Sequence, residues 1–272
     1  MSSEGFGVGV AQFAPSADTA ANLERIRELT LTAVSRGAAI VVFPEYSSYF
    51  SNPIDASFAD AAETLNGPFV SGLTTLADEL DIHIVAGLVE KAGEKFSNAV
   101  VAVDGSGVVA TYRKLHLYDA FGDKESDWVE PGNLDEPELF AVRGMRVGLQ
   151  TCYDIRFPEV TRRLVDAGAD LVLVPAEWVR GPLKEHHWRT LVTARALENT
   201  IYVAASDHTP PIGVGNSMVV DPMGVEIATI GEQSDVAVAW VDPARIAATR
   251  TINPALALRR FSVVPGAPTR RN

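Results

Sequence analysis

The chain has 272 residues, of which 47% are hydrophobic and 21% charged, an ordinary globular composition that excludes long disorder. Its 23 basic and 35 acidic residues give a net charge of −12, and such a surface repels phosphate backbones, so we expect no nucleic acid partner. One cysteine cannot form an internal disulfide, and neither a signal-peptide pattern nor an apolar run of the ~20 residues that a membrane helix needs is seen, so we expect a cytoplasmic, single-domain protein without a membrane partner.

Strand-like runs and amphipathic helices alternate from the start of the chain. "FGVGVAQF" predicts a buried strand, residues 19–36 predict a helix, and "AAIVVF" predicts a second buried strand. The helix begins at a capping residue, Asp18 or Thr19, and stops at Gly37. This order predicts a crossover unit in a parallel or mixed sheet.

The same order of elements recurs in the second part of the chain. The segments "DIHIVAGLVE", "FSNAVVAVD" and "GVVATYRKLHL" predict three strands joined by turns. "MRVGLQT", "FPEVTRRLVDAG" and "ADLVLVP" then predict a strand, a helix and a strand. "RGAAIVVFPE" (36–45) matches "AGADLVLVPAE" (167–177) in pattern. The match predicts two similar α/β halves in one domain, with chance similarity as the alternative.

A last group of elements closes the predicted domain. A helix over 184–199 and the strand "TIYVAAS" precede a loop rich in proline and glycine, and "SMVVD", "GVEIATI" and "VAVAWVD" predict three more strands. We place the end of the domain at residue 250. Residues 251–272 have little periodicity and form an extension that is solvated or in contact with another subunit.

Three residues with reactive side chains stand where predicted strands end. Glu45 follows "VVFP", Lys114 follows "VVATYR" and Cys152 follows "RVGLQT". Layered α/β folds bind ligands at the carboxyl ends of strands, so we expect these side chains to meet and the thiol to be partly accessible. A thiol is a weak nucleophile until it is deprotonated. Glu45 is suited to take its proton, and Lys114 to hold the thiolate and a developing oxyanion.

Each of these three residues also has a simpler interpretation. A lone cysteine is often a buried, inert small hydrophobe. A glutamate after a proline often begins a solvated helix, and a lysine in "YRKLHL" is often a charge at a strand edge. Only their joint placement favours a reaction site.

Several segments resemble a known family. "FPE" at 43–45, "YRKLHL" at 112–117 and "CYDIRFPE" at 152–159 resemble the three signature segments of the nitrilase (carbon–nitrogen hydrolase) superfamily. "PGN", "PAEW" and "ARALENTIYVAAS" support the resemblance. It runs in the family's order from about residue 6 to about residue 241.

The resemblance implies an α/β fold of four α-β-β-α layers and a catalytic set of Glu45, Lys114 and Cys152. The family also has a second glutamate after the lysine. Glu125 fits that position best, Glu130 is the other claimant, and an ordinary acidic loop residue is the simpler interpretation. No metal and no organic cofactor is implied.

The same resemblance suggests two substrate-binding residues. The backbone N–H of Tyr153 follows the nucleophile and is placed to help Lys114 form an oxyanion hole. Trp178 ends the strand that parallels the strand of Glu45, so its ring either lines the pocket or belongs to the core.

The residues after the cysteine bear on the reaction class. Nitrilases proper usually have Trp-Glu there, whereas this chain has Tyr153 and Asp154, which favours amide hydrolysis. The resemblance is closest to the amidase branch that acts on small ω-amide acids and deaminated glutathione. Arg156 suits a substrate carboxylate, but because Asp154 and Glu159 flank it we expect a structural ion pair.

Other candidate motifs fit less well. The glycines of "GFGVGVA" precede and enter the strand, so they make no phosphate cradle. Adjacent histidines in "EHHW" face different directions on a helix, which is poor metal geometry. A Cys–His pair with His186 or His208 is the rival mechanism, and it leaves Glu45 and Lys114 unexplained.

The sequence therefore predicts a thiol-dependent amidase. It hydrolyses a small carboxamide to acid and ammonia through an acyl-thioester on Cys152. The alternatives are an N-carbamoyl amide hydrolase of the same superfamily and a non-catalytic interaction protein on this fold. We expect the protein to be a homodimer or a higher homo-oligomer.

Overall fold

A computed structural model describes residues 5–266 of the chain. Residues 1–4 of the expected domain and residues 267–272 of the predicted extension lie outside the described residues.

The described part of the chain contains twelve strands and six α-helices. The strands are β1 (Phe6–Gln12), β2 (Ala38–Val42), β3 (His83–Ala92), β4 (Lys95–Asp104), β5 (Gly107–Arg113), β6 (Leu139–Val142), β7 (Met145–Leu149), β8 (Leu171–Pro175), β9 (Tyr202–Ser206), β10 (Met218–Val220), β11 (Glu226–Thr229) and β12 (Asp235–Val241). The helices are α1 (Thr19–Ser35), α2 (Ser57–Ala61), α3 (Pro68–Leu80), α4 (Pro158–Asp166), α5 (Lys184–Asn199) and α6 (Pro243–Ile252).

The strands form two sheets of six strands each. Their orders are β12-β1-β2-β3-β4-β5 and β11-β10-β9-β8-β7-β6. Three consecutive strands are parallel in each sheet, β1, β2 and β3 in the first and β7, β8 and β9 in the second. The chain thus repeats one strand–helix–strand–helix–strand unit, and the two predicted halves are confirmed.

The two sheets pack face to face between outer layers of helices. One apolar cluster lies between the sheets and includes Val8 and Val10 of β1 together with Val147 and Leu149 of β7. A second cluster joins α1 and α3 to the outer face of the first sheet. A third joins α4 and α5 to the outer face of the second sheet. The architecture is the expected four-layer α-β-β-α sandwich, because each sheet has two apolar faces to bury.

Helix α1 begins and ends where its sequence signals indicated. The Asp18 side chain accepts a hydrogen bond from the backbone N–H of Ala21 and so satisfies a free donor of the first turn. Gly37 has a φ of 88°, a left-handed conformation that glycine adopts readily, and the chain turns there into β2.

Some helices and strands were not predicted from the sequence. No prediction was made for α2, α3, β6 or α6, and α6 extends two residues past the predicted domain end, to Ile252. Helix α3 has a usual amphipathic pattern, with Pro68 in its first turn and Phe69, Leu73 and Leu76 buried. Residues 253–266 follow α6 and contain no helix or strand. The homo-oligomer expected from the sequence stays a prediction. Among the described helices, none is both long and apolar enough to cross a membrane.

Candidate active site

The structure brings Glu45, Lys114, Cys152 and Glu125 to one end of the two sheets. Glu45 follows β2, Lys114 follows β5 directly, and Cys152 begins a 3-10 turn (Cys152–Arg156) after β7. All four residues are buried and line the same cavity, whose volume is about 510 Å³. The strand ends therefore converge as the sequence indicated.

The Lys114 ammonium lies between two carboxylates. Its Nζ is 2.9 Å from Oε1 of Glu45 and 2.9 Å from Oε2 of Glu125. Burial disfavours the charged amine, but the charges of Glu125 and Glu45 outweigh it and raise the pKa of Lys114 well above its usual value. Conversely, burial favours a protonated Glu125, but the Lys114 ammonium holds the pKa of Glu125 below its usual value. Lys114 is thus a fixed positive charge.

Glu125 and not Glu130 is the second glutamate beside the lysine. Glu125 lies in a 3-10 turn (Glu125–Asp127) and is buried against Lys114, whereas Glu130 is exposed. Tyr46 donates its hydroxyl hydrogen to Oε1 of Glu125 at 2.7 Å. Burial, helped by the charge of Glu125, raises the pKa of Tyr46 well above its usual value, so this hydroxyl stays a donor.

Asn98 is a site residue that the sequence analysis missed. It is a buried residue of β4, and its side-chain amide donates to Oε1 of Glu45 at 2.6 Å and to Oε1 of Glu125 at 3.0 Å. A polar amide within the mostly apolar run "FSNAVVAV" was the available signal, because buried polar side chains need partners. Asn98 and Lys114 together fix the position of both carboxylates.

Cys152 is less accessible than the sequence indicated. Its exposed fraction is 5%, and its φ of 40° is a left-handed value that is unusual for a residue other than glycine. The thiol donates to the backbone carbonyl of Glu177 with a sulfur–oxygen distance of 3.5 Å. Burial, followed by the charge of Glu45, raises the pKa of Cys152 well above that of a free thiol, and Lys114 only partly opposes this. The expectation of a partly accessible thiol was wrong, because Cys152 is buried.

Backbone contacts join the end of β2 to the end of β8. The Glu177 N–H donates to Oε2 of Glu45 at 2.7 Å, and the Glu45 N–H donates to the carbonyl of Ala176 at 3.3 Å. His208 donates from Nε2 to the Glu45 carbonyl at 2.7 Å. The base candidate is therefore held through its side chain and through both of its backbone polar groups.

Tyr153 and Trp178 both line the cavity. The Tyr153 ring makes an edge contact with Tyr118, with ring centroids 5.1 Å apart. Trp178 lies in both of the places that its position suggested, because it lines the cavity and its 2% exposed ring packs on Trp188 in the core. Its indole N–H donates to the Lys184 carbonyl at 2.8 Å.

Two cations have no carboxylate partner in the described part of the chain: Lys184, which lines the cavity, and Arg156, which lies over the ring of the lining residue Trp178. Lys184 is buried, and its Nζ contacts the hydroxyl of Tyr118 at 3.0 Å. The Arg156 guanidinium lies 4.9 Å from the centre of the Trp178 ring, and its buried Nε has no hydrogen-bond partner. Within residues 5–266 neither cation forms an ion pair, so the pair expected between Arg156 and Asp154 or a neighbouring acid is absent.

Asp154 has other partners. Its carboxylate accepts from the Tyr112 hydroxyl at 2.7 Å and from the backbone N–H of His116 at 3.0 Å. These bonds join the segment that carries Lys114 to the turn that carries Cys152. Asp154 is thus occupied, and Arg156 is left with its charge available.

The rival histidines do not assemble a second site. His186 is exposed on α5, and the ring of His208 contacts the Glu45 backbone from inside the core. Burial lowers the pKa of His208 to about 4, so it is neutral. No cluster of three or more metal-ligating side chains occurs within residues 5–266.

Comparisons with known proteins show the family to which this chain is similar. The chain matches the carbon-nitrogen hydrolase family over residues 7–251. It is 38% identical over 262 residues to the deaminated glutathione amidase of Escherichia coli O157:H7, covering 94% of this chain and 97% of that protein.

Solved structures are similar along nearly the whole chain. The C. elegans NitFhit protein superposes with a TM-score of 0.85 and 28% identity, covering 96% of this chain and 66% of that one. A double mutant of the amidase from Nesterenkonia sp. AN1 in complex with acrylamide superposes with a TM-score of 0.79 and 26% identity, covering 94% of each chain.

The fold and these relatives define a hydrolase of the nitrilase superfamily, which is an enzyme that acts on carbon–nitrogen bonds. The chain belongs to the carbon-nitrogen hydrolase family. The family predicted from the signature segments is thereby confirmed.

Proposed function

We propose that the protein hydrolyses the primary amide of a small carboxylate-bearing molecule to an acid and ammonia, through a thioester on Cys152. One observation carries the proposal: the thiol, the Lys114 ammonium and the Glu45 carboxylate line one cavity, and the Lys184 ammonium lines the same cavity. The names of its relatives, an amidase of deaminated glutathione and an amidase crystallised with acrylamide, agree with amide chemistry.

In the first half of the reaction the thiol adds to the amide carbonyl. Glu45 takes the thiol proton as sulfur bonds to the carbonyl carbon, which is needed because the raised pKa leaves the thiol protonated at rest. Lys114 and the Tyr153 N–H stabilise the oxyanion of the tetrahedral intermediate. The carbon–nitrogen bond then breaks, and the nitrogen takes the proton from Glu45 and leaves as ammonia. An acyl-thioester remains on Cys152.

In the second half of the reaction water displaces the Cys152 sulfur from the acyl group. Glu45 takes a proton from water as its oxygen bonds to the thioester carbon, and Lys114 again faces the oxyanion. The carbon–sulfur bond breaks and the sulfur recovers a proton from Glu45. The acid leaves, and the thiol and the carboxylate are restored.

The cavity favours a small, anionic amide. Its volume of about 510 Å³ is at the small end for ligand sites. A substrate carboxylate near Lys184 would supply the opposite charge that this buried ammonium lacks. Arg156 adds a second positive charge near the Trp178 ring, over which Lys184 also lies.

The test is a panel of amides assayed for ammonia release. We expect release from primary amides with a distal carboxylate, and its loss in Cys152→Ala, with Met145→Leu of β7 as a folded control. Carbon dioxide released together with ammonia from N-carbamoyl substrates would favour the N-carbamoyl alternative. An inactive wild-type protein across the panel would leave the non-catalytic alternative and overturn the proposal.

A further inference from the structure

Glu177 holds the place in the second half of the fold that Glu45 holds in the first. Glu45 follows β2 in "VVFPE", and Glu177 follows β8 in "LVLVPAE". The Glu177 backbone serves the reaction centre, because its N–H donates to Glu45 and its carbonyl accepts from the Cys152 thiol. Its side chain, which the reaction proposed above does not use, lines the cavity.

The Glu177 carboxyl has no hydrogen-bond or ion-pair partner in the part of the chain that the structure describes. The residue is half-buried, and its remaining exposure faces the cavity. A half-buried carboxyl group that lines the cavity and has no protein partner is available to a bound molecule. A group of the substrate is the partner that the cavity can supply.

Charged and titratable groups surround this carboxyl on every side. They are Glu45 and Tyr46 after β2, Lys114 and Tyr118 after β5, Glu125 in its turn, Cys152 after β7, Lys184 on α5 and Asp207 after β9. Lys114 already forms ion pairs with two carboxylates, so an ionised Glu177 would add a third negative charge that this ammonium does not neutralise. Burial, followed by the charges of Glu45 and Asp207, raises the pKa of Glu177 well above its usual value.

We propose that Glu177 determines specificity by donating a carboxyl hydrogen bond to the anionic group of the substrate, next to the Lys184 ammonium. A protonated acid can donate to a carboxylate, whereas an ionised one would repel it. Lys184 supplies the charge and Glu177 supplies a directional donor. The proposal rests on the proposed function, because it concerns the anionic end of the same substrate.

The test compares two amides that differ in that anionic group. Succinamate carries a carboxylate and butyramide does not. Glu177→Ala should raise the KM for succinamate relative to that for butyramide on the order of 10- to 100-fold, the usual effect of a hydrogen bond to a charged group. Glu177→Gln keeps a neutral donor and should restore most of that ratio. Glu185→Ala, which removes an exposed acid of α5, is the matched control and should leave the ratio unchanged.

The pH dependence separates binding from a structural effect. As pH rises through the raised pKa of Glu177, the ionised side chain should repel succinamate and its KM should increase. Glu177→Gln should abolish this increase of KM with pH, and the KM for butyramide should not show it. Equal losses of kcat for both amides with unchanged KM ratios would overturn the proposal and leave Glu177 as a positioning residue for Glu45.

A binding measurement keeps the two proposals distinguishable. Titration of succinamate into Cys152→Ala protein reports affinity without turnover, and adding Glu177→Ala should weaken it by the same factor. If the wild-type enzyme hydrolyses succinamate but Glu177→Ala leaves its KM and its affinity unchanged, this inference fails and the proposed function stands. If succinamate binds in a Glu177-dependent way but no amide is hydrolysed, the proposed function fails instead.

Discussion

The Cys152 thiol is protonated at neutral pH, because burial and the nearby Glu45 charge raise its pKa. A protonated thiol must lose its proton as it attacks, so the base is as important as the nucleophile. Glu45, the proposed base, is held in position by Asn98, Lys114 and the Glu177 N–H. A cysteine–histidine pair would instead need a histidine at the thiol, and neither His186 nor His208 is placed there.

Replacing the base should separate turnover from thiol acidity. Glu45→Gln keeps the side-chain shape but removes proton acceptance, so kcat should fall at least ~100-fold, the usual contribution of a general base. Because the substitution also removes a negative charge beside the thiol, the pKa of Cys152 should fall, which thiolate absorbance during a pH titration measures.

The matched control is His186→Ala, an exposed position that should leave kcat near the wild-type value. A collapse of kcat in His186→Ala or His208→Ala, with Glu45→Gln near normal, would favour the cysteine–histidine mechanism.

The sequence was informative about the residues to which we assign the reaction and poor about the residues that hold them in place. Glu45, Lys114 and Cys152 were recognisable because each follows an apolar run and belongs to a signature segment. Asn98 and Glu177 were not, because their importance comes from contacts between residues distant in the chain. The state of the thiol also depends on burial, which a strand-end position alone does not reveal.

Strand β3 supports the Glu45 turn through a glycine. A Cβ on Gly87 would lie 2.3 Å from the Tyr46 nitrogen and 2.8 Å from the Glu45 Cα. Both are backbone atoms, so the turn would have to move. The Gly87 N–H also donates to the Pro44 carbonyl at 3.1 Å, which ties strand and turn together.

Gly87→Ala should therefore displace Glu45 while leaving residue 45 and its carboxylate side chain unsubstituted. We expect kcat to fall by at least about tenfold, since small misplacements of reacting groups are costly, together with a lower free energy of unfolding in urea. Gly9→Ala in β1 is the control, because its nearest neighbour would be a side-chain carbon at 3.4 Å. Equal behaviour of the two variants would show that the close approach does not position Glu45.

The strands themselves were predictable from their apolar runs, and the helices over 19–36 and 184–199 from their periodicity. The packing of β3 against the Glu45 turn was not, because it depends on how the loop after β2 folds back. The short strand β6, which pairs with β7 at the sheet edge, gave too brief a pattern to be recognised.

Acid should destabilise the whole molecule through His208. Its pKa of about 4 lies below the ordinary 6.5 because the ring is buried. Above pH 6.5 the ring is neutral in both folded and unfolded chains and has no effect. As pH falls from 6.5 to about 4 the unfolded chain binds a proton that the folded chain does not, so the free energy of unfolding decreases by about 3 kcal/mol.

Urea denaturation at pH 7 and pH 4.5 measures this contribution. His208→Gln keeps a donor for the Glu45 carbonyl but cannot titrate, so it should lose less stability than the wild type over that interval. Equal losses in the two proteins would mean that the ring charges without cost and is not buried in solution.

The central claim is that the acyl group of the amide is bound to Cys152 during the reaction. Wild-type enzyme mixed with a short primary amide and quenched in acid should carry the acyl mass on the Cys152 peptide, as mass spectrometry of the digest measures. Hydroxylamine added during turnover should divert the same acyl group to a hydroxamate, as expected of a thioester. Active enzyme that yields neither the adduct nor the hydroxamate would contradict the claim and indicate direct attack by water.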